Sequence, residues 1–217
     1  MSFGLSRGRT LDVSGFGLGR DDLPDESAGP VDPRRWFDCP DRPFELEIGS
    51  GKGTFLVQQC GLQPDTNFLG IEWTGEFYRY GADRLRRNGC TNARMLHENA
   101  VEFIGHRVPD GVCDVIHLYF SDPWPKSRHH KRRVVQDATL KQFHRVLKPS
   151  GLVHIVTDHP DLWTWTQEHV LRATALFERL PFTPPPSARD GEVIGTNFER
   201  KYRREGRPFH AMTLRRI

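Results

Sequence analysis

Cysteine is scarce and scattered. The four in this 217-residue chain, Cys39, Cys60, Cys90 and Cys113, form no Cys-x-x-Cys pair, which argues against a zinc or redox framework and leaves reduced thiols as the expectation. Long apolar runs are missing as well. None approaches the roughly 18 to 20 residues that span a bilayer, so no membrane partner is expected. Basic residues near the start, in Met1-Ser2-Phe3-Gly4-Leu5-Ser6-Arg7-Gly8-Arg9, are not followed by a continuous apolar segment, so the start does not read as a secretory signal and a cytoplasmic location is expected. Neither sign of charge is in large excess: 31 Lys and Arg face 28 Asp and Glu, a net +3. Composition alone therefore demands no nucleic-acid partner, and the distribution of the charge must decide. No Ser-His-Asp or Cys-His arrangement suggests a nucleophile.

What is present falls into two parts. Residues 1–40 are rich in Gly, Pro, Asp and Arg and carry few apolar residues in any regular period. They read as a mobile N-terminal arm, with Arg7 and Arg9 as added phosphate contacts. From Phe44 onward short apolar runs alternate with helix-length amphipathic segments, the signature of βαβ units and a parallel sheet. Strands are predicted over 44–48, 67–73, 93–97, 112–120 and 152–157. Helices are predicted over 54–60, 76–88, 138–147 and 161–174, and the Pro-rich stretch 181–186 interrupts the pattern before an extended piece near 209–214.

The first strand runs into Glu47-Ile48-Gly49-Ser50-Gly51-Lys52-Gly53, where glycines let a backbone turn tightly and approach a ligand closely. A Walker A loop is excluded, because Lys52 is followed by Gly53 and the earlier glycine is absent. The dinucleotide fingerprint is excluded too, because the spacing is G-x-G-x-G. An acid two positions before the first glycine suits a ligand with cationic groups, and S-adenosylmethionine carries an ammonium and a sulfonium. Glu72, ending the second strand, is placed to accept both hydroxyls of a ribose. Asn99, after the third, is placed to bond an adenine edge through its amide. With Gly49 and Gly51 these residues outline an adenosyl site at the carboxyl edge of the sheet; the alternative is a plain tight turn with solvated loop residues.

After the fourth strand comes Ser121-Asp122-Pro123-Trp124-Pro125-Lys126-Ser127-Arg128-His129-His130-Lys131-Arg132-Arg133. The prolines restrict the backbone and hold Asp122 at the sheet edge, and Trp124 offers a flat face for stacking a base. A carboxylate accepts the N1–H and N2–H donors of guanine together and leaves N7 free as a lone-pair nucleophile. N7 carries no proton, so Asp122 is cast as an orienter and electrostatic partner rather than a base. Lys126, Arg128, Lys131, Arg132 and Arg133, with His129 and His130 among them, form the densest basic run and are expected to contact RNA phosphates. The alternative there is a solvated, charged helix start. Asp158, after the fifth strand, is a third acid or else the N-cap of the next helix. Residues 196–204 repeat the polar, aromatic and basic mixture and are expected to return to the same pocket.

These motifs resemble those of the bacterial tRNA (guanine-N7-)-methyltransferases from about Phe44 to the end. The resemblance rests on the glycine loop, Gly70-Ile71-Glu72, the Ser-Asp-Pro-Trp-Pro-Lys segment with its basic tail, Thr157-Asp158, and Thr196-Asn197-Phe198-Glu199. It implies an α/β, Rossmann-like class I methyltransferase fold over 41–217, with a mostly parallel central sheet, helices on both faces and an antiparallel C-terminal strand. It also implies S-adenosylmethionine as donor, no metal, and a guanosine in the tRNA variable loop as target, the chain acting as a monomer or homodimer. By the same resemblance Glu47, Glu72, Asn99 and Asp122 contact the donor, and Asp122 is the catalytic acid. Lys126, Asp158, Thr196, Asn197, Phe198 and Glu199 then hold the substrate. Many family members have Asp where this chain has Asn99, and altered donor affinity is expected from the change. Two rivals stand beside this reading: an amino methyltransferase acting on adenine or protein, and a non-catalytic RNA-binding scaffold. Trp124 between two prolines opposes the first, and Glu47 and Glu72 in phase with a glycine loop oppose the second.

Overall fold

The computed structural model describes Gly8 and residues 10–217, so Arg7 and Arg9 lie outside the described residues. In chain order the elements are β1 (Gly17–Leu18), β2 (Phe44–Ile48), α1 (Thr54–Leu62), β3 (Asn67–Ile71), α2 (Gly75–Arg87), β4 (Ala93–Leu96) and α3 (Ala100–His106), then β5 (Cys113–Tyr119), α4 (Asp137–Val146), β6 (Leu147–Thr157), α5 (Pro160–Arg172), β7 (Phe177–Leu180), α6 (Asn197–Arg204) and β8 (His210–Arg216). Among the described residues, eight strands join one sheet in the order β1-β4-β3-β2-β5-β6-β8-β7. β8 runs antiparallel to both of its neighbours, and the other pairs are parallel. This is the doubly wound arrangement expected from the alternation of runs, and it collects ligand-binding loops at the carboxyl ends of the parallel strands.

Strand alternation divides the sheet into two unlike faces. Phe44, Leu46 and Ile48 of β2 join Ile116, Leu118, Val153 and Ile155 in the main core, against Phe103 and Ile104 of α3, Leu140, Phe143 and Val146 of α4, and Val170 of α5. On the opposite face α1 and α2 cover β3 and β4 through Leu56, Tyr78, Ala82 and Leu85. In the middle of that second face the register sets Glu47 beside His117, His117 beside His154, and His154 beside Thr213. A row of polar groups therefore crosses four strands directly beneath α1, whose Phe55 ring packs 4.8 Å from that of His117.

Three expectations change. The segment read as a mobile arm is, over residues 10–40, laid against the domain: β1 pairs with β4, and Val31 and Phe37 are buried. Widely spaced apolar residues anchor it, which is why no period announced it. Cys60 and Cys90, expected as free thiols, are joined by a disulfide. Cys60 lies near the end of α1 and Cys90 just beyond the end of α2, with β3 between the two helices in sequence, and the fold sets their Cα atoms 5.6 Å apart. Finally, β6 begins at Leu147 rather than 152, its extra residues looping out where Ser150 takes a left-handed φ of 63°.

If the 10–40 segment belongs to the folded unit, Phe37→Ala, which removes a ring 6.2 Å from that of Phe44, costs about 3 kcal/mol in urea unfolding. A loss of less than about 0.5 kcal/mol, as for an exposed side chain, would show the segment to be detached.

Candidate functional site

The glycine loop leaves β2 through three left-handed glycines, Gly49, Gly51 and Gly53, with φ of 73°, 54° and 64°, a conformation that a Cβ would strain. It folds down onto β3: the N–H groups of Gly49 and Ser50 donate to the Ile71 carbonyl at 2.9 and 3.2 Å. Gly70 makes the close approach possible, since a Cβ there would overlap Ser50 and Leu56. The Glu72 carboxylate accepts the Gly51 N–H at 2.8 Å on one oxygen and the Thr74 N–H at 2.7 Å on the other. Each oxygen keeps a second lone pair for hydroxyl donors.

Glu47 sits under this loop and is 6% exposed. Its Oε2 is buried without a hydrogen-bond partner. Burial pushes its carboxyl up to about 8, with the Glu72 charge adding to the shift and Ser50 opposing it. A buried acid beside a second carboxylate, next to a loop shaped for close approach, fits a ligand that brings positive charge, as S-adenosylmethionine does. Asn99, the third predicted contact, caps α3: its Oδ1 accepts from the N–H groups of Val101 and Glu102 at 3.0 and 3.4 Å. That oxygen is committed to the helix, which leaves the amide N–H as the group to offer an adenine edge.

Asp122 is exposed at the end of β5 between two non-glycine residues in the left-handed region, Phe120 at φ 53° and Trp124 at φ 42°. Such conformations cost of order 1–3 kcal/mol each and persist only where surrounding contacts impose them. The flat face expected to stack a base is partly taken, because the Arg132 guanidinium lies 4.9 Å over the Trp124 ring and His129 meets it edge-on. Residues Ser127–Arg132 form a 3-10 turn that leaves Lys126, Arg128, Lys131 and Arg132 exposed. Arg133 was expected among these RNA contacts and is instead 1% exposed. The turn rotates it inward, beneath the segment it was thought to accompany.

Residues 196–204 do return to this edge. Tyr202 of α6 packs against Phe120, and its phenol is pushed up by burial and then by the Asp158 charge, with Asp122 contributing. Asp158 is not an N-cap, a role His159 takes for α5, and it pairs with Arg207 at 2.7 Å. Thr196 and Glu199, expected to hold substrate, serve the loop itself. The Thr196 hydroxyl accepts the Glu199 N–H at 3.3 Å, and the fully buried Glu199 carboxylate accepts the N–H groups of Val193, Ile194 and Gly195 at 2.5 to 2.8 Å. Burial would raise Glu199, but Arg203 and those three donors outweigh it and hold it below the usual range. Phe198 is half exposed, and the side chain of Asn197 lies outside the described residues.

Sequence reasoning missed two groups beside the predicted donor contacts. Arg20, from the supposed arm, grips Glu98 through Nε at 2.8 Å and a terminal nitrogen at 2.6 Å, and Glu98 accepts the N–H of Asn99. Beneath Glu47, His117 bridges Glu45 and the Tyr119 hydroxyl, 2.7 Å from each, while burial holds the adjacent His154 down to about 3. The period-two pairing of Glu45 with Glu47 was the available signal for that layer.

Residues 41–212 match the family model described as a putative methyltransferase. The chain is 37% identical over 189 residues to the tRNA (guanine-N(7)-)-methyltransferase of Corynebacterium diphtheriae, covering 85% of this chain and 71% of that protein. To the enzyme of the same name from Rhodopirellula baltica it is 36% identical over 182 residues, covering 81% and 67%. The chain belongs to the tRNA (guanine-N(7)-)-methyltransferases. The enzyme transfers a methyl group to N7 of guanine in tRNA. A crystal structure of an aminoglycoside-resistance methyltransferase shares its fold with a TM-score of 0.57 at 17% identity, covering 92% of this chain and 94% of the other. The methyltransferase family supports S-adenosylmethionine as methyl donor, and the Glu47 Oε2, buried without a partner, suits its cationic groups.

If Glu47 faces the donor, the donor's positive charge selects its ionised form, so binding below about pH 8 displaces a proton, and affinity measured by calorimetry climbs with pH until about 8. Glu47→Gln weakens binding and subtracts this dependence from the donor's own titration; equal pH profiles in the two proteins would refute the assignment. The stability effect has the opposite sign. A carboxyl raised in the fold favours the protonated state, so stability falls as pH rises toward 8, and Glu47→Gln raises the Tm of the ligand-free enzyme above that pH.

Proposed function

We propose that the enzyme modifies a guanosine in the tRNA variable loop, with Asp122 as the residue that orients the base. Glu47, Glu72, Asn99 and the Gly49–Gly51 turn hold the donor, and Lys126, Arg128, Lys131 and Arg132 hold the RNA. The observation that carries this reading is the position of Asp122. It is exposed at the end of β5, the immediate sheet neighbour of the β2 strand that carries the glycine loop, with the exposed basic turn starting five residues later.

The donor supplies a methyl group on a positively charged sulfur; the N7 lone pair takes it, the electrons of the S–C bond stay on sulfur, and the positive charge passes to the guanine ring. No proton leaves the base, so no group need remove one. Asp122 accepts from the N1–H and N2–H edge, which fixes the direction of N7, and its charge stabilises the cationic ring as it forms. Orientation of this kind is worth on the order of 7 to 11 kcal/mol of a bimolecular barrier. Asp158, tied to Arg207, and the half-exposed Phe198 are assigned to the substrate side. Lys131 and its exposed neighbours neutralise phosphates and set the register of the RNA.

Asp122→Ala lowers turnover by about 10²–10³-fold and leaves donor binding by calorimetry within about twofold. Normal turnover in that variant would remove the role assigned to it. Labelled methyl transfer to unmodified transcripts, followed by mapping of the product nucleoside, places the modification; 7-methylguanosine outside the variable loop would overturn the proposed target. Lys131→Ala reduces the slope of log K against log salt for tRNA binding by about one.

A further inference from the structure

Three consecutive basic residues end the 127–133 segment, and the structure gives them three different surroundings. Lys131 is exposed, Arg132 lies over the Trp124 ring, and Arg133 is buried. The Arg133 guanidinium donates from Nε to the Pro123 carbonyl at 2.9 Å, pairs with Asp161 in the first turn of α5, and lies 5.0 Å over the Trp165 ring. Trp165 is itself held, its Nε1 donating to the Val135 carbonyl at 2.6 Å. Pro123 is the residue between Asp122 and Trp124, and Asp161 stands three positions after Asp158.

We infer that Arg133 is a positioning residue for methyl transfer, fixing the Asp122 loop from below and joining it to the loop that carries Asp158, rather than a contact for RNA. The inference rests on the reading of Asp122 as the group that faces the base. Three observations support it. The loop holds left-handed residues at 120 and 124, so it needs an outside contact to keep its shape. The bond to the Pro123 carbonyl falls between them, at the residue next to Trp124. At 1% exposure the guanidinium is out of reach of a phosphate, and the nitrogen it leaves unpartnered, Nη1, is buried as well.

The side chain also has to be arginine. A planar fork reaches the Pro123 carbonyl and Asp161 in different directions while its face rests on Trp165, whereas an ammonium is a single point that cannot serve both. Arg132 grips the same loop from outside through Trp124. Phosphate binding at the exposed residues of the turn and the geometry of Asp122 are therefore connected through one short stretch of backbone.

Single-turnover and steady-state kinetics with unmodified tRNA test this on Arg133→Lys and Asp161→Asn. The expected result is a fall in kcat of about 10- to 100-fold, with KM for tRNA and donor affinity within about twofold and an unchanged salt slope. A phosphate contact would instead lower the salt slope by about one and raise KM at constant kcat. That result, or full kcat in both variants, overturns the inference. Asp161→Asn keeps the test decisive if Arg133→Lys does not fold, since it leaves the arginine in place. A double-mutant cycle with Asp122→Asn separates the two proposals. If Arg133 acts through the Asp122 loop, the combined loss is less than the product of the single losses. Additive losses refute the positioning role alone. An undiminished rate in Asp122→Asn by itself refutes the reading of Asp122 and takes the inference with it.

Discussion

Glu47 brings a carboxyl group out of water on a strand whose neighbours offer its Oε2 no hydrogen bond. Desolvation of an acid is costly, and much of the surrounding structure follows from the way this fold bears it. The proton is retained to a pH of about 8, which removes most of the electrostatic cost until a cationic ligand arrives. His117 and Tyr119 continue the polar surface sideways, so the acid does not sit alone in a greasy layer. The glycine loop closes the top through Glu72 and the Ile71 carbonyl. On the proposed donor role of Glu47, stability that the ligand-free fold forgoes is held for the ligand, a common relation between a binding site and its fold.

Much of this plan was legible from residue order. The 44–48 strand was placed without error because Gly49 ends it and because Phe44, Leu46 and Ile48 alternate with acids. α2 and α4 were located by apolar residues at helical spacing. β1, β7 and α6 escaped because two or four residues carry no measurable period, and because α6 is charged on nearly every side. The disulfide escaped for a different reason: spacing of 30 residues says nothing until a strand and a helix are folded between the cysteines.

Within the site, residue type was legible and direction was not. Arg132 and Arg133 are identical in sequence terms, yet the 3-10 turn sends one outward over Trp124 and the other inward to Pro123. Glu199 has the charge of a substrate ligand and spends it on three backbone N–H groups of its own loop. Asn99 was expected to meet adenine through its amide, and its oxygen caps a helix. In each case the backbone's demand for hydrogen-bond partners claimed a side chain whose chemistry suited the ligand equally well.

The short strands at the two ends of the sheet have a consequence for the chain in a crowded solution. An edge strand exposes unpaired N–H and C=O groups and invites another chain to add itself. Here one edge is β1, only two residues long. The other is β7, four residues long, with Glu178 exposed and paired to Arg215 and Arg179 lying over Trp163. The long central strands, which would make the best templates for aggregation, are thus enclosed by borders too brief and too charged to propagate them. The N-terminal segment that seemed an appendage supplies one of those borders.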